Sequence, residues 1–191
     1  MSGKNSYILA IVQYCAFFFI FSFVIMRVSL DSQSREPFLR FLLGNELFLE
    51  EKIISCKITA YCPGPCCNSG YVRINGELVF VDWSNRIAVG ELTIRDLHRA
   101  HIGLIAVDPV YIPYGSIVRY NDKLYIALDS GGSIKGNAID VSLPTHEETV
   151  HFGIKHNQRV IVSIPRDPQL IIGKVEDYVA ELLKDSQDKV F

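Results

Sequence analysis

The stretch that decides the fold spans residues 105–143, and it carries three aspartates, Asp108, Asp129 and Asp140. It reads IAVDP at 105–109, IPYGS at 112–116 and ALDSGGSIKGNAIDV at 127–141. Each aspartate ends or interrupts a short apolar run of the kind that forms β-strands. A carboxylate beside buried strand residues must be paired, hydrogen-bonded or held neutral. The three carboxylates are therefore predicted to form the working site.

Short runs rich in β-branched and aromatic residues recur on both sides of that stretch. Glycine, proline or the Asn121-Asp122 pair, a predicted hairpin turn, separates them. Many short strands with few helices predict a small β-barrel, because closure removes exposed strand edges. The predicted strands cover residues 53–61, 78–82, 104–107, 116–120, 124–128, 138–142 and 159–164.

Two helices are predicted within and after the strands. Thr145 and Glu148 have the spacing of a capping box after Pro144, and Gly153 suits the end of that helix. At the C-terminus, apolar residues follow the spacing of an amphipathic helix, with a tail behind it. Those residues are Val175, Tyr178, Val179, Leu182 and Leu183, within a segment assigned to residues 166–191.

The N-terminal part of the chain has a different composition. Residues 7–26 are almost wholly apolar, about the length that a helix needs to cross a hydrocarbon core of roughly 30 Å. No Ala-x-Ala cleavage site follows, which favours an uncleaved transmembrane anchor at residues 1–30 over a signal peptide. The barrel is predicted to occupy residues 53–165 outside the cytoplasm, in the cell envelope.

Residues 31–52 are predicted to form a stalk or linker helix between anchor and barrel. Pro37 suits the first turn of a helix. The apolar stripe of that helix would comprise Phe38, Phe41, Leu42, Leu47 and Phe48.

Charge gives no indication of a nucleic-acid partner. The chain of 191 residues has a formal net charge of −2, and its lysines and arginines do not form a stripe. Its length fits one domain with appendages.

Four cysteines, Cys56, Cys62, Cys66 and Cys67, lie close together along the chain. Such a cluster suits either disulfides outside the cytoplasm or a thiolate metal site. Disulfides or free structural cysteines are favoured over zinc, because no Cys-x-x-Cys pair with a distant second pair exists. No cofactor or metal is therefore predicted. The histidines lack a His-Glu-x-x-His frame and are interpreted as surface or satisfied side chains: His98, His101, His146, His151 and His156.

The order of several motifs closely resembles the 3D (three-aspartate) domain of bacterial cell-wall proteins. The motifs are TAYC at 59–62, IAVDP at 105–109, IPYGS at 112–116, DSGGSIKGN at 129–137, IDV at 139–141, PTHEE at 144–148 and FG at 152–153. The resemblance implies a six-stranded double-psi β-barrel, shared with the catalytic domain of the membrane-bound lytic transglycosylase A family. Those enzymes cleave peptidoglycan between N-acetylmuramic acid and N-acetylglucosamine, and they leave a 1,6-anhydromuramoyl end.

The chain departs from that family pattern in two places. Residues 88–90 read Ala-Val-Gly where the family often has Thr-Ala-Ser-Gly, and an insertion-like segment at 91–102 follows. The stretch 68–86, which contains Trp83, is longer than compact members need. Both departures bear on the shape of the substrate site more than on the fold.

By resemblance, the predicted catalytic residues are Asp140, Asp129 and Asp108. Asp140, with apolar neighbours, is the first choice for the general acid and base, and Asp129 is its partner. Asp108, before Pro109, is the aspartate most suited to a structural role in a turn. The predicted substrate-binding residues are Gly131, Gly132, Lys135, Gly136 and Tyr61.

Two functions follow from these predictions, and a third is less favoured. The first is a lytic transglycosylase that acts on peptidoglycan glycan strands. The second is a non-catalytic glycan-binding or scaffold module on the same barrel. A thiolate metal site at Cys62, Cys66 and Cys67 is the third. Tyr61, Tyr71 and Trp83 are equally compatible with stacking on sugars and with packing in the core.

Overall fold

The computed structural model describes residues 37–187. In chain order, the elements are α1 (Pro37–Leu43), β1 (Phe48–Tyr61), β2 (Ser69–Ile74), β3 (Glu77–Asp82), α2 (Ile94–Arg99), β4 (Gly103–Val107), β5 (Ile117–Tyr120), β6 (Lys123–Asp129), β7 (Ala138–Ser142), α3 (His146–Phe152), β8 (Lys155–Pro165) and α4 (Pro168–Gln187). The predicted anchor at 1–30 lies outside these residues. Within them, no helix combines the length and apolar character needed to cross a membrane.

Six strands close into a barrel in the order β1-β7-β4-β6-β5-β8. The neighbours β1 and β7 are parallel, as are β4 and β6, and the remaining pairs are antiparallel. The mainly-β fold with a closed six-stranded barrel and short helices is therefore confirmed. The Asn121-Asp122 turn between β5 and β6 is confirmed too, with φ of 48° and 62°.

Strand alternation divides the buried residues into two clusters, because successive side chains point to opposite faces of a strand. The inner cluster draws residues from all six barrel strands, among them Ile58, Ile105, Val118, Ala127, Ile139 and Val162. The outer cluster combines the other face of those strands with helical residues. Its members include Leu39, Leu42, Leu97, Ala106, Ile126, Ala138 and Ile171.

The predicted stalk at 31–52 is corrected where the structure describes it. Leu39 and Leu42 of α1 are fully buried in the outer cluster, and the Phe38 ring stacks on Tyr178 of α4 at 4.0 Å between centroids. β1 begins at Phe48, so the boundary predicted at residue 53 falls inside a barrel strand. The predicted stripe included Phe41, whose side chain is 65% exposed. The buried face instead contains Leu39, and it packs into the outer cluster.

The structure also contains two elements that the sequence prediction missed. Strand β2 pairs with β3 as a separate two-stranded hairpin, and Asn75-Gly76 forms its turn with φ of 50° and 91°. This dipeptide is a strong hairpin signal. Helix α2 lies in the insertion-like segment at 91–102, and Thr93 and Asp96 form a capping box at its start. Both signals were available in the sequence.

The two predicted helices are present. Thr145 and Glu148 form the capping box of α3, and Gly153 follows its last turn with φ of 65°. Helix α4 buries Ile171, Val175 and Val179 in the outer cluster.

Candidate active site

A row of four residues crosses four neighbouring strands on the outer face of the barrel. Thr59 of β1 is in register with Asp140 of β7, and Asp140 is in register with Ala106 of β4. Ala106 is in turn in register with Asp129 of β6. The two aspartates therefore flank a small alanine, with their Cα atoms two strand spacings apart, roughly 10 Å.

An irregularity in β6 places Asp129 in that row. In the β4–β6 pairing, Ile105 opposes Ala127 but Ala106 opposes Asp129, so Leu128 is an extra residue. A bulge of this kind turns the following side chain to the other face of the strand. Without it, Asp129 would oppose Val107, which belongs to the inner cluster. The bulge therefore brings Asp129 to the face that carries Asp140.

Both carboxylates line one groove of about 610 Å³. The barrel supplies the floor, with Ala106 between the aspartates, and the loop after β6 supplies one side. The hairpin β2–β3 and the loop leading to it supply the other side. The lining from these loops and the hairpin includes Cys67, Val72, Trp83, Arg86, Gly131, Gly132 and Ile134. The long stretch at 68–86 is therefore a wall of the groove.

Asp129 is buried, at 6% exposure, yet it is well supplied with hydrogen-bond donors. The Tyr61 hydroxyl donates to its Oδ2 at 2.6 Å, and the Ser130 N–H donates to its Oδ1 at 2.8 Å. Burial raises the pKa of Asp129, while bonds from Tyr61, Ser130 and the Ala88 backbone oppose that rise. Each of these donors favours the ionised carboxylate.

Asp140 has fewer donors. The Thr59 hydroxyl donates to its Oδ1 at 2.7 Å. Burial raises the pKa of Asp140, and the Thr59 hydrogen bond partly opposes that rise. The charge of Asp129 raises the pKa further, against a smaller effect of Lys57. Of the two carboxyl groups, Asp140 is therefore the one that the groove favours in the protonated form.

Asp108 does not belong to this pair. It does not line the groove; its two carboxylate oxygens accept from the backbone N–H groups of Val110, at 3.1 Å, and Gly136, at 2.9 Å. These bonds lower the pKa of Asp108, which stays ionised. The structure thus separates Asp108 from the predicted catalytic set and gives it the structural role of holding the loop that follows β6.

The predicted substrate-binding residues divide in the same way. Gly131 and Gly132 line the groove, whereas Lys135 and Gly136 do not. Gly136 adopts a φ of 63° and donates its N–H to Asp108, so it shapes the loop. Tyr61 lines the groove but is 5% exposed, and its hydroxyl is bonded to Asp129. Its contact with Asp129 marks it as a positioning residue.

Sequence reasoning missed a second layer of side chains around Tyr61. The Ser142 hydroxyl lies 3.0 Å from Nε2 of His98 on α2, and it acts to lower the pKa of Tyr61 against the larger rise that burial causes. Burial lowers the pKa of His98, so the neutral imidazole is favoured. This histidine is satisfied, as predicted. Arg86, which lines the groove, had no motif that would have identified it.

The opposite pKa shifts of Asp140 and Asp108 predict opposite effects on stability. The pKa of Asp140 is higher in the folded protein than in the unfolded chain, where it is about 3.9. The contribution of this carboxyl group to the free energy of unfolding is therefore fully present below about pH 3.9 and is lost as pH rises through the folded-state pKa. We expect Asp140→Asn to raise the melting temperature near pH 7, with a gain that disappears in acid. Thermal unfolding followed by circular dichroism between pH 3 and pH 7.5 measures it.

Asp108→Asn is the matched substitution for that experiment. Its lowered pKa contributes stability that is present above the unfolded pKa and lost as pH falls through the folded pKa. Asp108→Asn should therefore lower the melting temperature near pH 7, with a loss that fades in acid. Shifts of the same sign at neutral pH would contradict the assignment of the two environments.

Comparison with known proteins agrees with the motif order. The 3D domain family model matches residues 103–163. The cell wall-binding protein YocH of Bacillus subtilis (strain 168) is 42% identical over 59 residues, which are 27% of this chain and 18% of that protein. The chain thus matches less than a fifth of the length of that relative. From its motifs, and from this match, the chain carries a 3D domain over residues 103–163.

Proposed function

We propose that this domain is a lytic transglycosylase that acts on the glycan strands of peptidoglycan, and that its barrel is of the double-psi type. The observation that supports the proposal is the pair Asp129 and Asp140, which line one groove in contrasting environments. Catalysis that needs one protonated and one ionised carboxyl group uses such a pair.

The proposed reaction uses Asp140 first as an acid and then as a base. The Asp140 carboxyl group donates its proton to the oxygen that leaves C1 of the muramoyl residue, and the glycosidic bond breaks. The 6-hydroxyl of that residue then forms the new bond to C1 and returns its proton to Asp140. Water is not consumed, and a 1,6-anhydro ring results. The negative charge of Asp129 stabilises the positive charge that develops at C1.

The walls of the groove suit a glycan that carries acidic substituents. Trp83 lines the hairpin wall and is 40% exposed, so its ring is available to a sugar face. Arg86 follows Trp83 by three positions and is exposed, and its guanidinium suits a lactyl or peptide carboxylate. Gly132 has open space around its Cα, which lets a substrate approach the backbone there.

Product analysis tests the proposal directly. The whole chain, purified in a mild detergent, is incubated with purified peptidoglycan, and the soluble fragments are analysed by mass. Anhydromuramoyl ends support the transglycosylase. Fragments with reducing ends would show hydrolysis instead, and they would sink the proposed use of the 6-hydroxyl as nucleophile.

A second candidate function is non-catalytic binding to cell-wall glycan. It is supported by the name of the relative from Bacillus subtilis, a cell wall-binding protein. The groove would then hold glycan through the same aspartates, acting as hydrogen-bond acceptors. Sedimentation of the protein with insoluble peptidoglycan, without release of any fragment, would favour this candidate over the enzyme.

We also propose that the N-terminal segment at 1–30 anchors the domain on the outer side of the cytoplasmic membrane. The proposal is supported by the apolar run at residues 7–26. Fractionation of cells, followed by protease treatment of intact protoplasts, tests it. Recovery of the protein in the cytosolic fraction, or resistance to the protease, would contradict it.

Filling the space between the two aspartates should impair either function. Ala106 is the floor residue between them, and a Leu side chain there would occupy the groove. We expect Ala106→Leu to weaken sedimentation with peptidoglycan about tenfold, which corresponds to roughly 1.4 kcal/mol. Ala180→Leu, at an exposed position of α4, is the control. Equal binding by both variants would place the glycan elsewhere.

A further inference from the structure

Four potential metal ligands lie close together where the loop between β1 and β2 meets the start of α3. They are the sulfurs of Cys62, Cys66 and Cys67, from the loop after β1, and Nδ1 of His146, the first residue of α3. All four atoms lie within 4.8 Å of one another. Cys62 Sγ is 3.3 Å from Cys66 Sγ and 3.6 Å from Cys67 Sγ, while Cys67 Sγ is 3.7 Å from His146 Nδ1.

These three separations are close to the edges of a tetrahedron of zinc size, and the other pairs of atoms lie within 4.8 Å. Zn–S bonds of about 2.3 Å place neighbouring sulfurs about 3.8 Å apart. With a Zn–N bond of about 2.0 Å, sulfur and nitrogen are about 3.5 Å apart. Three thiolates and one imidazole form one of the ligand sets that structural zinc uses in proteins.

We propose that Cys62, Cys66, Cys67 and His146 bind one Zn²⁺ ion in a closed, structural site. Four protein ligands fill the tetrahedral coordination and leave no position for water or substrate, so the ion would stabilise structure and carry no chemistry. On binding, zinc displaces the protons of the three thiols. This inference does not depend on the proposed function.

The loop that carries the cysteines is held in the required shape by its own hydrogen bonds. The Asn68 side chain donates to the carbonyl of Cys62, and the N–H groups of Cys67 and Asn68 both donate to the carbonyl of Gly64. Pro63 and Pro65 restrict the backbone between the first two sulfurs. Less conformational entropy is therefore lost when a metal binds.

The position of the site indicates what the metal would do. The loop joins Tyr61, the donor to Asp129, to strand β2 of the hairpin wall, and Cys67 itself lines the groove. His146 belongs to the helix that follows β7, the strand of Asp140. A shared ion would tie the hairpin wall to the barrel on the side that carries both aspartates.

A disulfide is the competing use of these cysteines. Cys62 and Cys66 are close enough for one. Such a bond would not explain why Cys67 and His146 also lie within 4.8 Å of both sulfurs. The sequence alone favoured disulfides or free thiols because no second Cys-x-x-Cys pair exists. The fourth ligand is a histidine 79 positions after Cys67, which no local spacing rule reveals.

Cobalt substitution tests the proposal. The whole chain, in detergent, without a polyhistidine tag and reduced with a phosphine, is titrated with Co²⁺. We expect one ion per chain, thiolate-to-cobalt charge-transfer bands and the intense visible bands of tetrahedral cobalt. Zn²⁺ should bleach these bands, because zinc binds such sites more tightly than cobalt does. Weak octahedral bands without charge transfer would overturn the proposal.

Substitutions of the exposed ligands distinguish cobalt binding at the proposed site from adventitious binding elsewhere on the protein. Cys66→Ser and His146→Ala, both at exposed positions, should weaken binding by more than the roughly 10–100-fold that loss of an outer-shell partner costs. His151→Ala, on the same helix, and Cys56→Ala, in the inner cluster, should bind cobalt normally. Bands that persist in both ligand variants would overturn the proposal. A Cys62–Cys66 disulfide in protein from the natural cell, with no cobalt uptake after reduction, would do so as well.

Discussion

Replacement of Asp140 by Asn is expected to reduce the release of 1,6-anhydromuramoyl fragments from peptidoglycan by about 10²–10⁴-fold. The amide has nearly the same shape and still accepts the Thr59 hydrogen bond, but it holds no transferable proton. Because the groove otherwise remains intact, sedimentation with insoluble peptidoglycan should change little. The measurement compares initial rates of fragment release, quantified by mass, with the fraction of protein that sediments.

Asp122→Asn is the control for that substitution. It makes the same chemical change at the β5–β6 turn, where the residue has a φ of 62° that asparagine tolerates well. Its rate should equal that of the unchanged protein. If Asp140→Asn and Asp122→Asn release fragments at the same rate, Asp140 is not the acid. If neither protein nor variant releases any fragment while all sediment, binding is the function.

Replacement of Leu42 by Ala is expected to lower the stability of the domain strongly. Leu42 is 0% exposed in the outer cluster, so removal of its side chain leaves a cavity in that cluster. We expect a loss of about 2–5 kcal/mol in the free energy of unfolding. Small domains have only about 5–15 kcal/mol in total, so the loss is severe. Denaturant unfolding, followed by circular dichroism, measures it.

Phe41→Ala provides the matched control on the same helix. Phe41 is 65% exposed, so its removal should change the free energy of unfolding by less than about 0.5 kcal/mol. Equal effects of the two substitutions would mean that α1 does not pack into the outer cluster and that the segment is a stalk after all. The packing of α1 also means that a fragment beginning at residue 52 lacks part of the folded domain.

The sequence located the two groove aspartates along the chain, but it did not predict on which face of its strand each one lies. Apolar neighbours along the chain correctly marked Asp140 as a residue beside a buried strand. The proximity of Asp129 depends on the bulge at Leu128, which moves its side chain from one face of β6 to the other. Simple alternation of faces along β6 would assign Asp129 to the face of the inner cluster. The bulge is not visible in the sequence pattern, because an extra residue appears only when two strands pair.

Asp108 illustrates the reverse case. Its motif is as regular as those of the other two aspartates, yet its oxygens accept from the backbone of Val110 and Gly136. Which hydrogen bonds a carboxylate makes depends on the loops that fold around it. A turn role was foreseen from the following proline, but the partner 28 positions away was not.

The sequence by itself determined the barrel, the capped helix α3, the amphipathic helix α4 and the aspartates around which the groove is built. These features depend on periodicity, turn residues and motif order, all of which are local. Only the tertiary structure decided that α1 belongs to the core, that the hairpin walls the groove and that three cysteines meet His146. Each of these depends on contacts between segments far apart along the chain. Those contacts form only when the whole domain packs.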